Sequence, residues 1–312
     1  MLKILSEYSP TSKILHSGLA GLAVALTISG CSPEPAPAPT PIPATVPEVE
    51  TGALTLLLAS TDLAVGPNRF VFALLDGTSS PLRVPEARVQ FVYLETQPQK
   101  DTTSIVARFV RWPVGTAGVY VAQVSFDREG RWGVIAEVAG DAGADRVADA
   151  GFLVRAESSS PGIGQPAPAS VNRTSGDVDD LAEISTSREP DPDLYGITIA
   201  DAASSGKPTV VTFATPAFCQ TATCGPQVDV VASLKDRYGS QANFIHVEVF
   251  DNPLEMEGDL SKGRLSPLME EWGLLTEPFT FVLRRDGLVA AKFEGFATRV
   301  ELEAALVAAL RP

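Results

Sequence analysis

The chain has 312 residues, 45% of them hydrophobic and 20% charged, which is enough for two domains with packed cores. Lys+Arg number 24 against 38 Asp+Glu, a formal charge of -14. A nucleic-acid binder needs a basic footprint to displace counterions from phosphates, so that class is excluded. The two histidines, His16 and His246, argue against a His-rich zinc site or a Ser-His-Asp triad. Three cysteines, Cys31, Cys219 and Cys224, exclude a disulfide-dense scaffold.

Residues 1–30 read as a signal peptide: Lys3 and Lys13 precede an apolar run from Leu19 to Ile28 that is too short to span a membrane. The run ends in Ile28-Ser29-Gly30-Cys31, which resembles the lipobox of bacterial lipoproteins. That resemblance implies cleavage before Cys31, lipid on Cys31, and a membrane anchor on the extracytoplasmic side. Residues 31–51 form a Pro/Ala-rich stalk, because alternating Pro and Ala favours extended polyproline II and cannot build a core. Outside the cytoplasm disulfides persist.

Over 52–156 seven short apolar or alternating runs are predicted as strands: 53–60, 68–76, 87–94, 104–112, 118–126, 131–139 and 146–155. Turn residues such as VGP, DGTSSP and PVGTAG separate them, a spacing that suggests a β-sandwich. Residues 118–138 read as a hairpin around Asp127-Arg128-Glu129-Gly130, with Trp132 as a buried aromatic. This stretch resembles small immunoglobulin-like modules related to extracytoplasmic copper-resistance proteins. The segment holds no His and no Met, so no copper site is carried over. A spacer or partner-binding module is the expectation.

Residues 157–192, rich in Ser, Pro, Gly and Asp, read as a linker and lead-in. The pattern then changes. A short helix is predicted at 199–203, a buried strand at 208–215, a helix at 226–239 and a strand at 242–251. A helix at 265–273 and strands at 278–284 and 288–294 follow, the strands flanking the turn Arg285-Asp286-Gly287. The last helix opens on a capping box formed by Thr298 and Glu301.

With that order in place, GKPTVVTFATPAFCQTATCGPQVDVV and GLLTEPFTFVLRRDGLVAAKFEG resemble the cysteine-bearing and later segments of thioredoxin-like proteins, and IGQPAP (163–168) the opening of their redoxin branch. The resemblance covers about 160–312. It implies a multidomain chain: an all-β immunoglobulin-like sandwich, then an α/β thioredoxin-like fold over 193–312. It also implies thiol–disulfide exchange through Cys219 and Cys224 with an extracytoplasmic protein as substrate. Pro278 takes the place of the family's cis-proline, which leaves nearby backbone free to pair with substrate. No metal and no cofactor are implied.

The spacing departs from the family's Cys-x-x-Cys, with four residues between the cysteines. Either Cys219 takes the nucleophile position, or Cys224-Gly225-Pro226-Gln227 aligns with the motif and Cys219 lies on an inserted loop. Positions i and i+5 diverge by about 140° around a helix, and Pro226 favours a first turn. A loop over 219–223 with the helix starting near Cys224 is therefore expected, which favours Cys224 as nucleophile. Helix N-termini stabilise thiolates. His246 and Glu248, on one face of the following strand, are read as a satisfied polar pair outside the catalysis. A metallochaperone, a peroxidase, or a cell-surface binding protein with a static structural disulfide are the competing readings.

Overall fold

The computed structural model describes residues 54–96, 104–139, 145–219 and 221–311. The signal peptide, Cys31 and the stalk lie outside the described residues.

Seven strands come first: β1 (Thr55–Leu58), β2 (Gly66–Leu75), β3 (Glu86–Tyr93), β4 (Ile105–Arg111), β5 (Gly118–Phe126), β6 (Gly130–Val138) and β7 (Arg146–Val154). Their hydrogen-bonded order is β1-β2-β5-β4-β3-β6-β7, with every neighbouring pair antiparallel. Period-two alternation sends Phe70, Phe72, Val89, Phe91, Tyr120, Ala122, Trp132 and Val134 into one core. Aromatic edges meet faces there, as between Phe70 and Phe91 at 4.9 Å.

The expected hairpin over 118–138 does not form. β5 pairs with β2 and β4, whereas β6 pairs with β3 and β7. The turn at Gly130 (φ 122°) is tight, but it carries the chain across to different partners. A glycine turn constrains the chain locally and leaves the pairing of the flanking strands open. Trp132 is buried, as expected, and its Nε1–H donates to the Arg128 carbonyl at 3.2 Å.

The second half is built on a four-stranded sheet in the order β11-β10-β8-β9. Its elements are α1 (Ile199–Ser204), β8 (Thr209–Ala214), α2 (Cys224–Tyr238), β9 (Asn243–Glu248), α3 (Pro267–Glu271), β10 (Phe279–Leu283), β11 (Val289–Glu294) and α4 (Arg299–Leu310). β8 and β9 run parallel, while β10 is antiparallel to both β8 and β11. β8 and β10 are buried along their whole length, so apolar residues go to both faces. Val210 and Val282 pack with α2 and α4; Val211, Phe213 and Phe281 pack with α1 and the Met269–Trp272 region. Thr298 and Glu301 cap α4 reciprocally, and Gly287 (φ 78°) closes the β10–β11 turn.

Residues 157–192 are not a free linker. Gly164 donates to the Val289 carbonyl and Ala167 to that of Gly287, extending the edge beside β11. Ser158, Ser159 and Ser160 donate to the carboxylate of Asp62, which also faces Lys292 Nζ at 2.9 Å. Asp62 is 6% exposed. Burial alone would raise its pKa, but Lys292 and the serine hydroxyls outweigh that and hold it well below the carboxylate range. Three consecutive serines of the segment thus serve this buried ion pair.

Candidate functional site

Strand β8 ends at Ala214, and a loop leads through Phe218 and Cys219 to α2. Ala222 (φ 56°) turns this loop in the left-handed region, so the chain arrives at Thr223 ready to start the helix. The helix begins at Cys224, where the Pro226 argument places it. Cys219 and Cys224 form a disulfide with Cα atoms 5.8 Å apart.

The two sulfurs have different surroundings. Cys224 is fully buried against Val228 and Val231, whereas Cys219 is only half-buried. The backbone N–H of Cys224, in the first turn of α2, donates to Cys219 Sγ at 3.2 Å, and Thr221 Oγ1 lies 3.2 Å from the same sulfur. An N–H at the positive end of a fifteen-residue helix stabilises negative charge on the sulfur it faces. Of the two sulfurs, that of Cys219 is the more exposed. The sequence preference for Cys224 rests on motif alignment, which carries no information on burial.

Across the site the chain enters β10 through Thr276, Glu277 and Pro278. The Glu277–Pro278 peptide bond is cis. Glu277, to which the sequence assigns no role, has Oε2 3.7 Å from Cys224 Sγ, and that oxygen accepts the Thr215 N–H at 3.0 Å. Burial pushes its pKa up to about 7; the Thr215 N–H offsets part of this, and the charge of Glu248 adds to it. Its one sequence signal is adjacency to Pro278.

Glu248 and His246 sit behind this carboxyl on β9. Glu248 accepts from the N–H and the hydroxyl of Thr186, both at 2.7 Å, and its pKa is raised by burial. His246 Nδ1 meets Tyr195 OH at 2.7 Å and Nε2 meets the Ala214 carbonyl at 3.0 Å. Burial lowers its pKa to about 4, so it is neutral at physiological pH. Thr212 pairs with Thr280 at 2.9 Å on the buried strands. Among the described residues no cluster of three His, Cys, Asp or Glu side chains is arranged to hold a metal.

Chemically, the site combines an accessible sulfur on a helix N–H, a buried sulfur bonded to it, and a carboxyl beside the buried sulfur that titrates near neutrality. That set can run thiol–disulfide exchange and place the proton of the buried thiol.

No protein-family model and no curated protein matches the chain. Among solved structures it is similar to a thiol:disulfide interchange protein of the thioredoxin family from Chlorobium tepidum TLS, with 15% identity over 43% of this chain and 100% of that one, at a TM-score of 0.30. StoA from Bacillus subtilis is 19% identical over 39% of this chain and 93% of its own, at a TM-score of 0.28. The pneumococcal exposed lipoprotein thioredoxin from Streptococcus pneumoniae strain TIGR4 is 13% identical over 36% of this chain and 90% of its own, at a TM-score of 0.27.

Proposed function

We propose that the chain is a lipid-anchored, extracytoplasmic thiol–disulfide oxidoreductase that acts on protein dithiols and disulfides through Cys219 and Cys224. The observation that carries this reading is the asymmetry of the pair. Cys219 is half-buried on the Cys224 N–H, while Cys224 is fully buried 3.7 Å from a carboxyl whose pKa is about 7.

In the reducing direction the Cys219 thiolate attacks a client disulfide. A Cys219–client bond forms and one client thiolate leaves. The Cys224 thiol then gives its proton to Glu277 and attacks Cys219 Sγ. The Cys219–Cys224 disulfide forms and the second client thiolate departs, taking up a proton. Two electrons pass from the pair to the client, and the reverse sequence oxidises a client dithiol. Pro278 borders the strip along which client backbone lies. Leu275, 68% exposed three residues earlier, supplies apolar contact.

The remaining assignments follow the sequence. Cys31 carries the lipid, and 31–51 is the stalk. Residues 52–156 form an immunoglobulin-like sandwich and 193–312 a thioredoxin-like domain. The strand order supports the sandwich: β1-β2-β5-β4 and β3-β6-β7 correspond to its two sheets, bridged by the short register from Glu86↔Arg108 to Val89↔Ile105. Catalysed reduction of insulin by dithiothreitol tests the activity. The wild type should accelerate it and Cys219→Ser should not; a Cys219→Ser variant as active as wild type refutes the assignment.

A further inference from the structure

Arg69 of the first domain reaches towards the redox site. Arg69 lies on β2, and its side chain is 5% exposed. Its guanidinium makes three hydrogen bonds to the second domain. Nη1 donates to the Glu294 carbonyl at 3.0 Å and Nη2 to the Phe296 carbonyl at 2.9 Å. Nε donates to Glu301 Oε1 at 2.9 Å, and the group lies 5.8 Å from the centre of the Phe293 ring. The planar fork of Arg fits three such acceptors at once, which Lys cannot reproduce.

The segment it grips borders the site. Gly295, between the two gripped carbonyls, donates its N–H to the Pro278 carbonyl at 2.8 Å. The Ala297 N–H donates to Gln227 Oε1 on α2 at 2.8 Å. Glu301 Oε2 closes the cap of α4 through Thr298. A second link runs parallel to the first. Glu294 accepts from the Thr61 N–H at 2.9 Å and the Thr61 hydroxyl at 2.5 Å, and Oε1 also accepts from Thr276 Oγ1 at 2.9 Å. Thr276 immediately precedes Glu277.

From these contacts we infer that the β domain is a working part of the redox site: Arg69 is a positioning residue that fixes the 294–297 turn against Pro278 and so shapes the surface a protein client meets. The inference rests on the oxidoreductase reading for its functional half and on geometry alone for its structural half. The linkage also gives the first domain a role other than that of a spacer. A spacer has no reason to bury a guanidinium against backbone carbonyls of its neighbour, since an unpaired buried charge is costly and this one is paired only across the junction.

The test is made on the whole mature chain with Arg69→Ala, Arg69→Lys and the milder Thr61→Val. Amide hydrogen exchange is read at Gly295 and Ala297, with β8 and β9 as internal controls of folding. Arg69→Ala and Arg69→Lys should both speed exchange at Gly295 by about tenfold or more while the control strands stay protected. Thr61→Val, which keeps the guanidinium and removes one donor, should give a smaller effect of the same sign. In insulin reduction the Arg69 variants should raise KM by about tenfold and leave kcat within about twofold, because client contact is lost and the cysteine chemistry is untouched. Unchanged protection at Gly295, or changed protection with an unchanged KM, overturns the inference. A wild type inert towards insulin, in which Gly295 still responds to Arg69→Ala, refutes the oxidoreductase reading and leaves the brace standing.

Discussion

Replacing Glu277 by Gln separates proton transfer from electrostatics at Cys224. The carboxyl lies 3.7 Å from the buried sulfur and titrates at about 7. Two anions that close, at an effective dielectric constant of about 20, repel by about 4 kcal/mol, so thiolate and carboxylate do not coexist. With a pKa of about 7, Glu277 is neutral in a sizeable share of the molecules at pH 7. Fixing that neighbour as neutral Gln therefore changes the equilibrium population of the Cys224 thiolate by less than about tenfold. Loss of a positioned proton acceptor, by contrast, costs a factor of about 100 or more. The assay is the reaction of the reduced chain with an aromatic disulfide such as dithiobis-nitrobenzoate, followed by the colour of the released thiol. Attack by Cys219 gives the first phase and attack by Cys224 on the mixed disulfide gives the second. In Glu277→Gln the second phase should slow about 100-fold at pH 7 and the first should stay within about threefold. The wild-type inflection near pH 7 should vanish from the second phase. A second phase within about twofold of wild type would refute the assignment of Glu277 as acceptor.

Three further outcomes follow from the same geometry. His246 titrates at about 4 when folded against 6.5 when free, so the unfolded chain takes up its proton first and stability falls as pH drops from 6.5 towards 4. His246→Gln should flatten that slope in urea unfolding measured across the window; an unchanged slope contradicts the burial argument. Lys292→Met removes the nearer cation from the buried Asp62 carboxylate, leaving Arg155 at 3.8 Å and the serine donors, and should cost about 1–3 kcal/mol of unfolding free energy, with part recovered on adding Asp62→Asn. A loss under about 1 kcal/mol would class the pair with exposed ion pairs. Cys31→Ala should move the protein from the membrane fraction to the soluble one in cell fractionation, and retention in the membrane would remove the lipid assignment.

The element order of the second half was legible because its signals are local. A buried run such as TVVTFA, the Thr298–Glu301 capping box and the Asp286-Gly287 turn each specify their structure within a few residues. The start of α2 at Cys224 was legible for the same reason, from Pro226 and the helical period. Strand pairing in the first half was not. The chain around Gly130 reads as a hairpin, yet β5 and β6 find separate partners, because pairing is decided by which faces are apolar across strands distant in sequence. Nor was the difference between the two sulfurs legible. Burial of Cys224 depends on Val228 and Val231 of α2 and on what the later strands bring across, and Glu277 reaches it from 53 residues away. The roles of Arg69 and Asp62 are invisible to a one-dimensional reading for the same reason, since Glu301 and Lys292, their charged partners across the junction, lie more than 200 residues along the chain.

On the proposed function, Cys219 and Cys224 exchange electrons with other thiols while the chain stays folded. Its most direct test is an equilibrium redox titration of the mature chain against glutathione and dithiothreitol, read by thiol alkylation and mass. A reversible two-electron transition is expected above roughly −300 mV, the level below which structural disulfides lie, with circular dichroism unchanged through it. A disulfide that yields only as the chain unfolds would contradict it.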